Sequence, residues 1–482
     1  LHPMTDVRTP QRFVARLKQA WRGLSTGAMA AVGAPRIASP DLVDADLPLL
    51  RARLLDCLVG RGGEASARAR AAELGQTYLG LSIAGRKRFM QLLASDFDID
   101  RAAAADAAAQ ALKAWQSGEA KPVRKAEASL RAALDPPRAR LLAHFTAMGE
   151  GVKFLVDRRA ELTEWAKEDP AFAALASDLH ELFSAWFDLG FLELRRITWE
   201  SPAALLERLA AYEAVHAVRD WADLKNRLDS DRRYFAFFHP RMPLEPLIFV
   251  EVALVKGLAG NVHDLLDDKA PLGDPKAADT AIFYSITNAQ RGLAGISFGG
   301  FLIKRVVETL KAEFPNLKTF ATLSPIPGFR SWLEARIAEG MPRLLLAEER
   351  KALAAALAEP GEKPASANKG TLKRALADAS WIDKPALRAA LQAPLSRACA
   401  QYLLETKRSD GNALDPVAHF HLSNGARVER LNWCADCSAK GLKQSAGLMV
   451  NYLYRLSDIE ANHEAYASEG TVAVASAVRG LL

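Results

Sequence analysis

The sequence predicts an α+β protein with an all-helical N-terminal domain and a C-terminal domain built on a mixed sheet with a helical insertion. Apolar residues recur with helical periodicity between residues 43 and 189. After Gly190 the pattern changes to strand-like runs rich in β-branched and aromatic residues. Helical periodicity then returns between residues 341 and 405. At 482 residues the chain exceeds one ordinary core, so we predict a domain over residues 1–190 and a second over 191–482.

The N-terminal part is predicted to be a helical bundle. Segments such as LPLLRARLLDCLV (47–59) and RKRFMQLLASDF (86–97) place apolar residues three and four positions apart. Pro136 and Pro137 break this pattern, and no internal repeat indicates a solenoid. The segments contain no pattern typical of catalysis, so we interpret the bundle as an oligomerisation module.

The strands that follow are predicted to pair mainly as hairpins. RRYFAFFH (232–239) and PLIFVEVALV (246–255) are separated by prolines rather than by a crossover helix. Asn424-Gly425 lies between VAHFHL and ARVERLNW, which predicts a second hairpin. These connections favour a mixed or mostly antiparallel sheet.

Residues 281–329 form the most informative stretch. A strand-like AIFYSI is followed by a glycine-rich loop, an amphipathic helix and a short second strand. Glycines let backbone N–H groups approach a ligand, and the next helix directs the positive end of its dipole to the same place. This order predicts a pyrophosphate site, with Arg291 in the loop as the phosphate contact. Lys304 and Arg305 on the helix could also meet phosphate or form its solvated face.

The charge balance favours an anionic ligand but not nucleic acid. The formal charge is +6 and the pI is near 9.0, yet basic residues are interleaved with acids along the chain. Neither a Lys/Arg run nor an aromatic-basic platform is present. A phosphorylated small molecule fits this balance.

Cysteine usage and hydropathy favour a reducing compartment without membrane insertion. Cys434 and Cys437 form a CxxC motif without the second pair that a zinc site needs. No segment approaches the ~20 apolar residues of a membrane span. Residues 5–40 are rich in arginine and poor in acids, as in mitochondrial transit peptides. We expect a cytoplasmic protein, with the mitochondrial matrix as the alternative.

Several long motifs in order resemble the malonyl-CoA decarboxylase family. They are GLAGISFGGFLIKRVV (292–307), LSPIPGF (323–329), DPVAHFHLSNGARVERLNW (415–433) and SAGLMVNYLY (445–454). The resemblance implies a helical domain joined to a catalytic domain like that of the GCN5-related acetyltransferases. It also implies conversion of malonyl-CoA to acetyl-CoA and carbon dioxide without a metal or organic cofactor, in a homotetramer.

The same resemblance nominates site residues. Ser324 matches the active serine of the family, as proton acceptor, and His421 matches its active histidine, as proton donor. Either side chain could instead bind the leaving carboxylate or the enolate oxygen. Tyr454 matches a tyrosine near the active site. The residues expected to line the thioester and pyrophosphate are Ala294, Gly295, Ile296, Ser297, Phe298, Gly299 and Gly300.

Ser297 supports a competing hypothesis. It replaces a glutamate of mammalian-type members of the family, and residues 295–299 match the G-x-S-x-G elbow of α/β-hydrolases. Asp415 and His421 follow in the order of a hydrolase triad, so a serine thioesterase is an alternative. Hairpin-linked strands and the lack of an HGGG-type motif weigh against it. A coenzyme A-dependent N-acyltransferase is a further alternative.

A metal site is a weaker hypothesis. His419 and His421 would share one face of the predicted strand, with His463 or Glu464 as a third ligand. Nothing in the proposed chemistry requires the ion, so we expect none.

Overall fold

The computed structural model describes residues 39–59, 63–187, 189–296, 302–340, 344–358, 370–377 and 379–482. The chain divides into two compact units between Met148 and Gly149. The domain boundary expected at residue 190 stays a prediction. The arginine-rich N-terminal segment lies almost wholly outside the described residues.

The first unit consists of helices. Their bounds are α1 (Leu47–Val59), α2 (Glu64–Gly80), α3 (Ile83–Asp96), α4 (Arg101–Ser117), α5 (Ala120–Leu134) and α6 (Pro137–His144). Ser82 and Asp100 cap α3 and α4 by accepting hydrogen bonds from backbone amides of the first turn. Pro137 begins α6 at the position where a missing N–H is harmless. The proline pair therefore separates two helices, as expected.

The second unit begins with two helices and then forms an eight-stranded mixed sheet. The helices are α7 (Gly151–Trp165) and α8 (Ala171–Trp186). The strands are β1 (Glu193–Ile197), β2 (Arg232–Phe238), β3 (Pro246–Val255), β4 (Thr280–Asn288), β5 (Thr319–Thr322), β6 (Ser324–Pro325), β7 (Arg427–Asn432) and β8 (Met449–Leu453).

Among the strands named above, neighbouring strands pair antiparallel except for the parallel pair of β4 and β5. Strands β1 to β4 pair antiparallel in chain order. The short proline-containing connection of residues 239–245 joins β2 to β3 as the predicted hairpin, whereas the longer connections of residues 198–231 and 256–279 contain helices. Strand β5 then runs parallel to β4, after the glycine turn and a crossover helix. The sheet continues from β5 to β8, which pairs with both β6 and β7.

The remaining helices cover the sheet and form the insertion. They are α9 (Ala203–Tyr212), α10 (Trp221–Arg227), α11 (Val262–Leu265), α12 (Leu302–Glu313), α13 (Phe329–Ala338), α14 (Ala347–Ala356), α15 (Thr371–Ala375), α16 (Pro385–Leu404), α17 (Pro416–Ser423), α18 (Ala439–Ser445), α19 (Ile459–Glu469) and α20 (Ser476–Arg479). The crossover helix α12 buries Ile303, Val306, Val307 and Leu310, as its spacing predicted. The predicted fold class, a helical N-terminal part followed by a mixed-sheet domain with a helical insertion, is confirmed. The expected likeness of the sheet domain to acetyltransferases stays a prediction.

The second predicted hairpin is wrong. VAHFHL belongs to helix α17, and only ARVERLNW contributes a strand. Asp415 caps the helix by accepting from the N–H groups of Val417 and Ala418, and Pro416 takes its first position. Gly425, at φ +78°, ends it in the left-handed conformation that closes many helices. The Asn-Gly pair therefore terminates a helix and does not turn a hairpin.

Among the described residues, no helix combines the length and the apolar character needed to cross a bilayer.

Candidate active site

The candidate site lies where β4 and β5 stop pairing. Their last paired residues are Phe283 and Thr322, but β4 continues to Asn288. Because the two strands are parallel, the glycine turn after β4 and Ser324 after β5 lie at the same edge of the sheet. Ligands in α/β proteins bind at such carboxyl ends, where neighbouring strands part.

Three predicted residues meet in one hydrogen-bonded row. The Ser324 hydroxyl lies 3.0 Å from His421 Nε2, and His421 Nδ1 lies 2.7 Å from the Tyr454 hydroxyl. All three side chains are buried. We call this arrangement the hydroxyl–imidazole row. It joins β6, helix α17 and the residue that follows β8.

Helix α17 explains why the row forms. Residues two apart in a helix point to nearly opposite sides, so His419 and His421 face different neighbours. His419 Nδ1 lies 2.9 Å from the Tyr466 hydroxyl, whereas His421 faces Ser324. The His-x-His motif therefore does not present two ligands to one metal. Within the described part of the chain, no group of three or more His, Cys, Asp or Glu residues is arranged to hold a metal ion.

Burial sets the charge state of the row. Removal from water lowers the pKa of His421 to about 3, and the same cause raises the pKa of Tyr454 well above its ordinary value. The imidazole is thus neutral near pH 7, with one nitrogen carrying hydrogen and the other accepting. The ring also stacks on Tyr452, with 4.5 Å between centroids.

Thr322 is a site residue that the sequence analysis missed. Its hydroxyl oxygen accepts the Tyr452 N–H at 3.1 Å and lies 2.8 Å from the Ser324 hydroxyl. Thr322 Oγ1 thus accepts from both the Tyr452 amide and the Ser324 hydroxyl, which leaves the Ser324 oxygen to accept from His421 Nε2. Two-residue alternation along β5 and β6 was the available signal, because it places Thr322 and Ser324 on one side.

Asp415 does not complete a hydrolase triad. One carboxylate oxygen caps α17, and the other accepts from the Gly328 amide and the Tyr402 hydroxyl, each at 3.3 Å. Both nitrogens of His421 face Ser324 and Tyr454 instead. These contacts do not favour a Ser–Asp–His arrangement, and Ser297 lies outside the described residues.

The glycine turn is described as far as Ile296. Arg291 begins a short 3₁₀ turn, Arg291–Leu293, and is exposed, as are Ala294 and Gly295. Ile296 is buried. The remaining predicted lining residues, Phe298, Gly299 and Gly300, lie with Ser297 outside the described residues.

The two cations on helix α12 have protein partners. Lys304 pairs with Glu460 at 2.7 Å. Arg305 donates to the Leu192 carbonyl at 3.1 Å, and its guanidinium lies over the Phe237 ring. These contacts favour a structural role for both, which leaves Arg291 as the exposed cation of the turn.

Arg159, also missed by the sequence analysis, anchors the glycine turn. Its Nη1 donates to the carbonyls of Gly292 at 2.7 Å and Ala294 at 2.8 Å. Arg159 lies on α7, within the region interpreted as a helical bundle without chemistry. No sequence signal distinguished it from an arginine on a solvated helix face.

Two family models together match most of the chain. Residues 190–482 match the malonyl-CoA decarboxylase C-terminal domain, and residues 99–187 match the malonyl-CoA decarboxylase N-terminal domain. The chain is 38% identical over 410 residues to "Malonyl-CoA decarboxylase, mitochondrial" of Anser anser anser, covering 82% of this chain and 80% of the relative. The protein of the same name from Rattus norvegicus is 37% identical over 431 residues, covering 87% and 86%.

Solved structures agree with this. The malonyl-CoA decarboxylase from Rhodopseudomonas palustris superposes with a TM-score of 0.80 at 41% identity, covering 90% of this chain and 99% of that chain. The enzyme from Agrobacterium vitis gives a TM-score of 0.78 at 39% identity, with the same coverage.

Proposed function

The chain belongs to the malonyl-CoA decarboxylase family, and on this premise we propose that it converts malonyl-CoA to acetyl-CoA and carbon dioxide. The observation that carries the proposal is the hydroxyl–imidazole row, buried at the sheet edge that also holds the glycine turn. The turn binds the pyrophosphate of coenzyme A, and the thioester reaches the gap between β4 and Ser324.

The reaction breaks one carbon–carbon bond and forms one carbon–hydrogen bond. The carboxylate leaves as carbon dioxide, and its bonding electron pair passes into the enolate of the thioester. One proton then adds to the α-carbon. The protein must stabilise the enolate and deliver that proton.

The hydroxyl–imidazole row can deliver a proton through a neutral ring. Ser324 donates its hydroxyl hydrogen to the α-carbon, and His421 Nε2–H restores it. Tyr454 in turn donates its hydroxyl hydrogen to His421 Nδ1 and becomes a phenolate. The protons then shift back along the row, from Nδ1 to Tyr454 and from Ser324 to Nε2, and a solvent proton taken up at Ser324 restores the starting state. The carbanion is a far stronger base than a phenolate, so the transfer is downhill even though a buried phenolate forms transiently.

The buried surroundings of the row favour loss of charge from the substrate. Phe283 and Tyr452 pack on Tyr454 and His421 respectively, so the malonyl carboxylate enters a largely aromatic site. Carbon dioxide is neutral and is not destabilised there, whereas the carboxylate loses hydration. A neutral imidazole adds no countercharge that would stabilise the starting carboxylate.

The direct experiment is product analysis after incubation of the pure protein with malonyl-CoA alone. We expect acetyl-CoA and carbon dioxide in equal amounts, without free thiol. Malonate and free coenzyme A would contradict the proposal and indicate a thioesterase. Ser324→Ala should then abolish turnover while Ser297→Ala retains most of it; the reverse pattern would favour the hydrolase alternative.

The assembly and location of the protein remain predictions. Family resemblance led us to expect a homotetramer, which size-exclusion chromatography with light scattering would test. Two of the relatives carry "mitochondrial" in their names, so the matrix stays a candidate location beside the expected cytoplasm.

A further inference from the structure

We propose that Arg159 is a positioning residue for the coenzyme A diphosphate, holding the glycine turn so that its backbone amide faces the ligand. The proposal rests on the proposed function and extends it to helices α7 and α8. These helices precede the sheet domain, and the N-terminal family model covers them. They would then form part of the substrate site and not only a scaffold.

Side chains of helices α7 and α8 contact several carbonyl groups of the glycine turn. Arg159 donates to Gly292 and Ala294, and its Nε contacts the Ala176 carbonyl of α8 at 3.3 Å. His180, also on α8, places Nε2 3.3 Å from the Gly295 carbonyl. Three carbonyls within four residues of the turn are therefore directed toward α7 and α8.

Peptide geometry sets the direction of the Gly295 amide. In a trans peptide the C=O and the following N–H point in opposite directions, and the described residues contain no cis peptide. Because the Ala294 carbonyl faces Arg159, the Gly295 N–H points to the other side. Gly295 is exposed and has φ +79°, a conformation that favours glycine. An exposed amide held in this direction suits an anionic ligand.

Gly292 packs closely against helix α7. A Cβ built at Gly292 would lie 1.7 Å from the Val156 carbonyl oxygen, so only glycine allows this approach. The Arg159 side chain is only 9% exposed and reaches the turn from the same helix. Both contacts keep the turn against α7, and loss of the guanidinium would release the carbonyls without changing the reacting groups.

The test compares two thioesters in the full-length protein. Malonyl-CoA carries the diphosphate, whereas S-malonyl-N-acetylcysteamine carries the same reacting group without it. We expect Arg159→Gln to raise KM for malonyl-CoA roughly tenfold, with kcat within about twofold, because charged hydrogen bonds to the turn are lost. Its kcat/KM for the truncated thioester should stay within about twofold of wild type. Arg159→Lys should recover part of the KM.

Arg158→Gln is the matched control. Arg158 is similarly buried on α7, and its guanidinium pairs with Glu161 at 3.2 Å. If Arg159→Gln does not fold, His180→Ala provides the same test from a half-buried position. It should raise KM for malonyl-CoA alone, by about two- to threefold, the effect of one weak hydrogen bond.

Equal losses on both thioesters, or a KM effect shared by Arg158→Gln, would overturn the positioning role while leaving decarboxylation intact. A wild-type protein that decarboxylates neither thioester would instead overturn the proposed function.

Discussion

Two clusters of buried polar side chains lie in the sheet domain, and the clusters differ in charge. The hydroxyl–imidazole row consists of neutral groups. The second group, which we call the ionic cluster, consists of Glu213, Asp223, Arg227 and Glu251 with the hydroxyls of Ser285 and Thr287. Arg227 donates to Asp223 through Nε and Nη2, each at 3.1 Å, and lies 3.3 Å from Glu251.

Nearby side chains and backbone amides supply the hydrogen bonds that the ionic cluster needs. Glu213 accepts from the amides of Val215 and His216 as well as from Ser285 and Thr287. A carboxylate removed from water needs such a full set of hydrogen bonds, since an unpaired buried charge destabilises the folded protein. The hydroxyl–imidazole row has fewer hydrogen-bond partners, and Ser324 lies just beyond the point where β4 and β5 stop pairing. Burial of titratable groups therefore does not identify the active site by itself. The groups must also lie at the carboxyl ends of the strands and be able to form further hydrogen bonds.

The largest expected effect is a loss of kcat, with little loss of stability, on substitution in the hydroxyl–imidazole row. His421→Asn removes the ring that joins Ser324 to Tyr454, so we expect kcat to fall by roughly 10²–10⁴. The free energy of unfolding should change much less than it does in the ionic-cluster variants. Acetyl-CoA formation and urea unfolding measure the two quantities. Near-normal turnover would place the proton donor elsewhere.

The opposite result is expected in the ionic cluster. Arg227→Met leaves Asp223 and Glu251 buried without their guanidinium, and breaking such a pair costs about 3–5 kcal/mol. Urea unfolding should detect this loss. The kcat per folded molecule should stay within about twofold at low temperature, because no member of the cluster contacts the row. A large fall in kcat with unchanged stability would assign the cluster to catalysis.

Local patterns predicted much of this fold but not the contacts that complete the site. The order of β4, glycine turn, α12 and β5 followed from periodicity, since each element carries its own pattern. VAHFHL was misassigned because a short apolar run fits either a strand or a helix, although Asp415-Pro416 was a helix-start signal. His421 and Ser324 are 97 residues apart, and only resemblance brought them together.

Arg159 shows the limit most clearly. It lies 133 residues before Gly292, and a helical arginine is usually solvated. The direction of its side chain depends on how α7 packs against the turn, which periodicity does not encode. The same holds for Tyr454, whose hydroxyl could be assigned to His421 only once β8 and α17 were placed.

A smaller effect distinguishes two tyrosines that both touch His421. Tyr454 bonds its Nδ1, whereas the Tyr452 hydroxyl has no hydrogen-bond partner among the described residues and only its ring stacks on the imidazole. Tyr454→Phe should lower kcat about tenfold, because the proton relay loses its last donor. This corresponds to about 1.4 kcal/mol of activation free energy. Tyr452→Phe is the matched control and should leave kcat within about twofold. Equal kcat values for the two variants would contradict a relay through Nδ1.

The last expected effect is a gradual one and concerns the pH dependence of the ionic cluster. Burial, with Glu213 nearby, raises the pKa of Glu251 from 4.5 to about 8, although Arg227 opposes the shift. Between these values the folded protein holds a proton that the unfolded chain has released. This contribution to stability is therefore complete below about pH 4.5 and is lost as the pH rises toward about 8, by up to about 1.4 kcal/mol per pH unit.

Glu251→Gln keeps the shape and the hydrogen-bond donor of the protonated acid but cannot ionise. Its free energy of unfolding should therefore lack this decline, so that the variant gains on wild type as the pH rises. Urea titrations at intervals between about pH 5 and about pH 8 would compare the two slopes. Parallel slopes would mean that Glu251 is ionised in the fold, with Arg227 outweighing burial. The ionic cluster would then differ from the hydroxyl–imidazole row even more sharply, as a fully charged site that only stabilises.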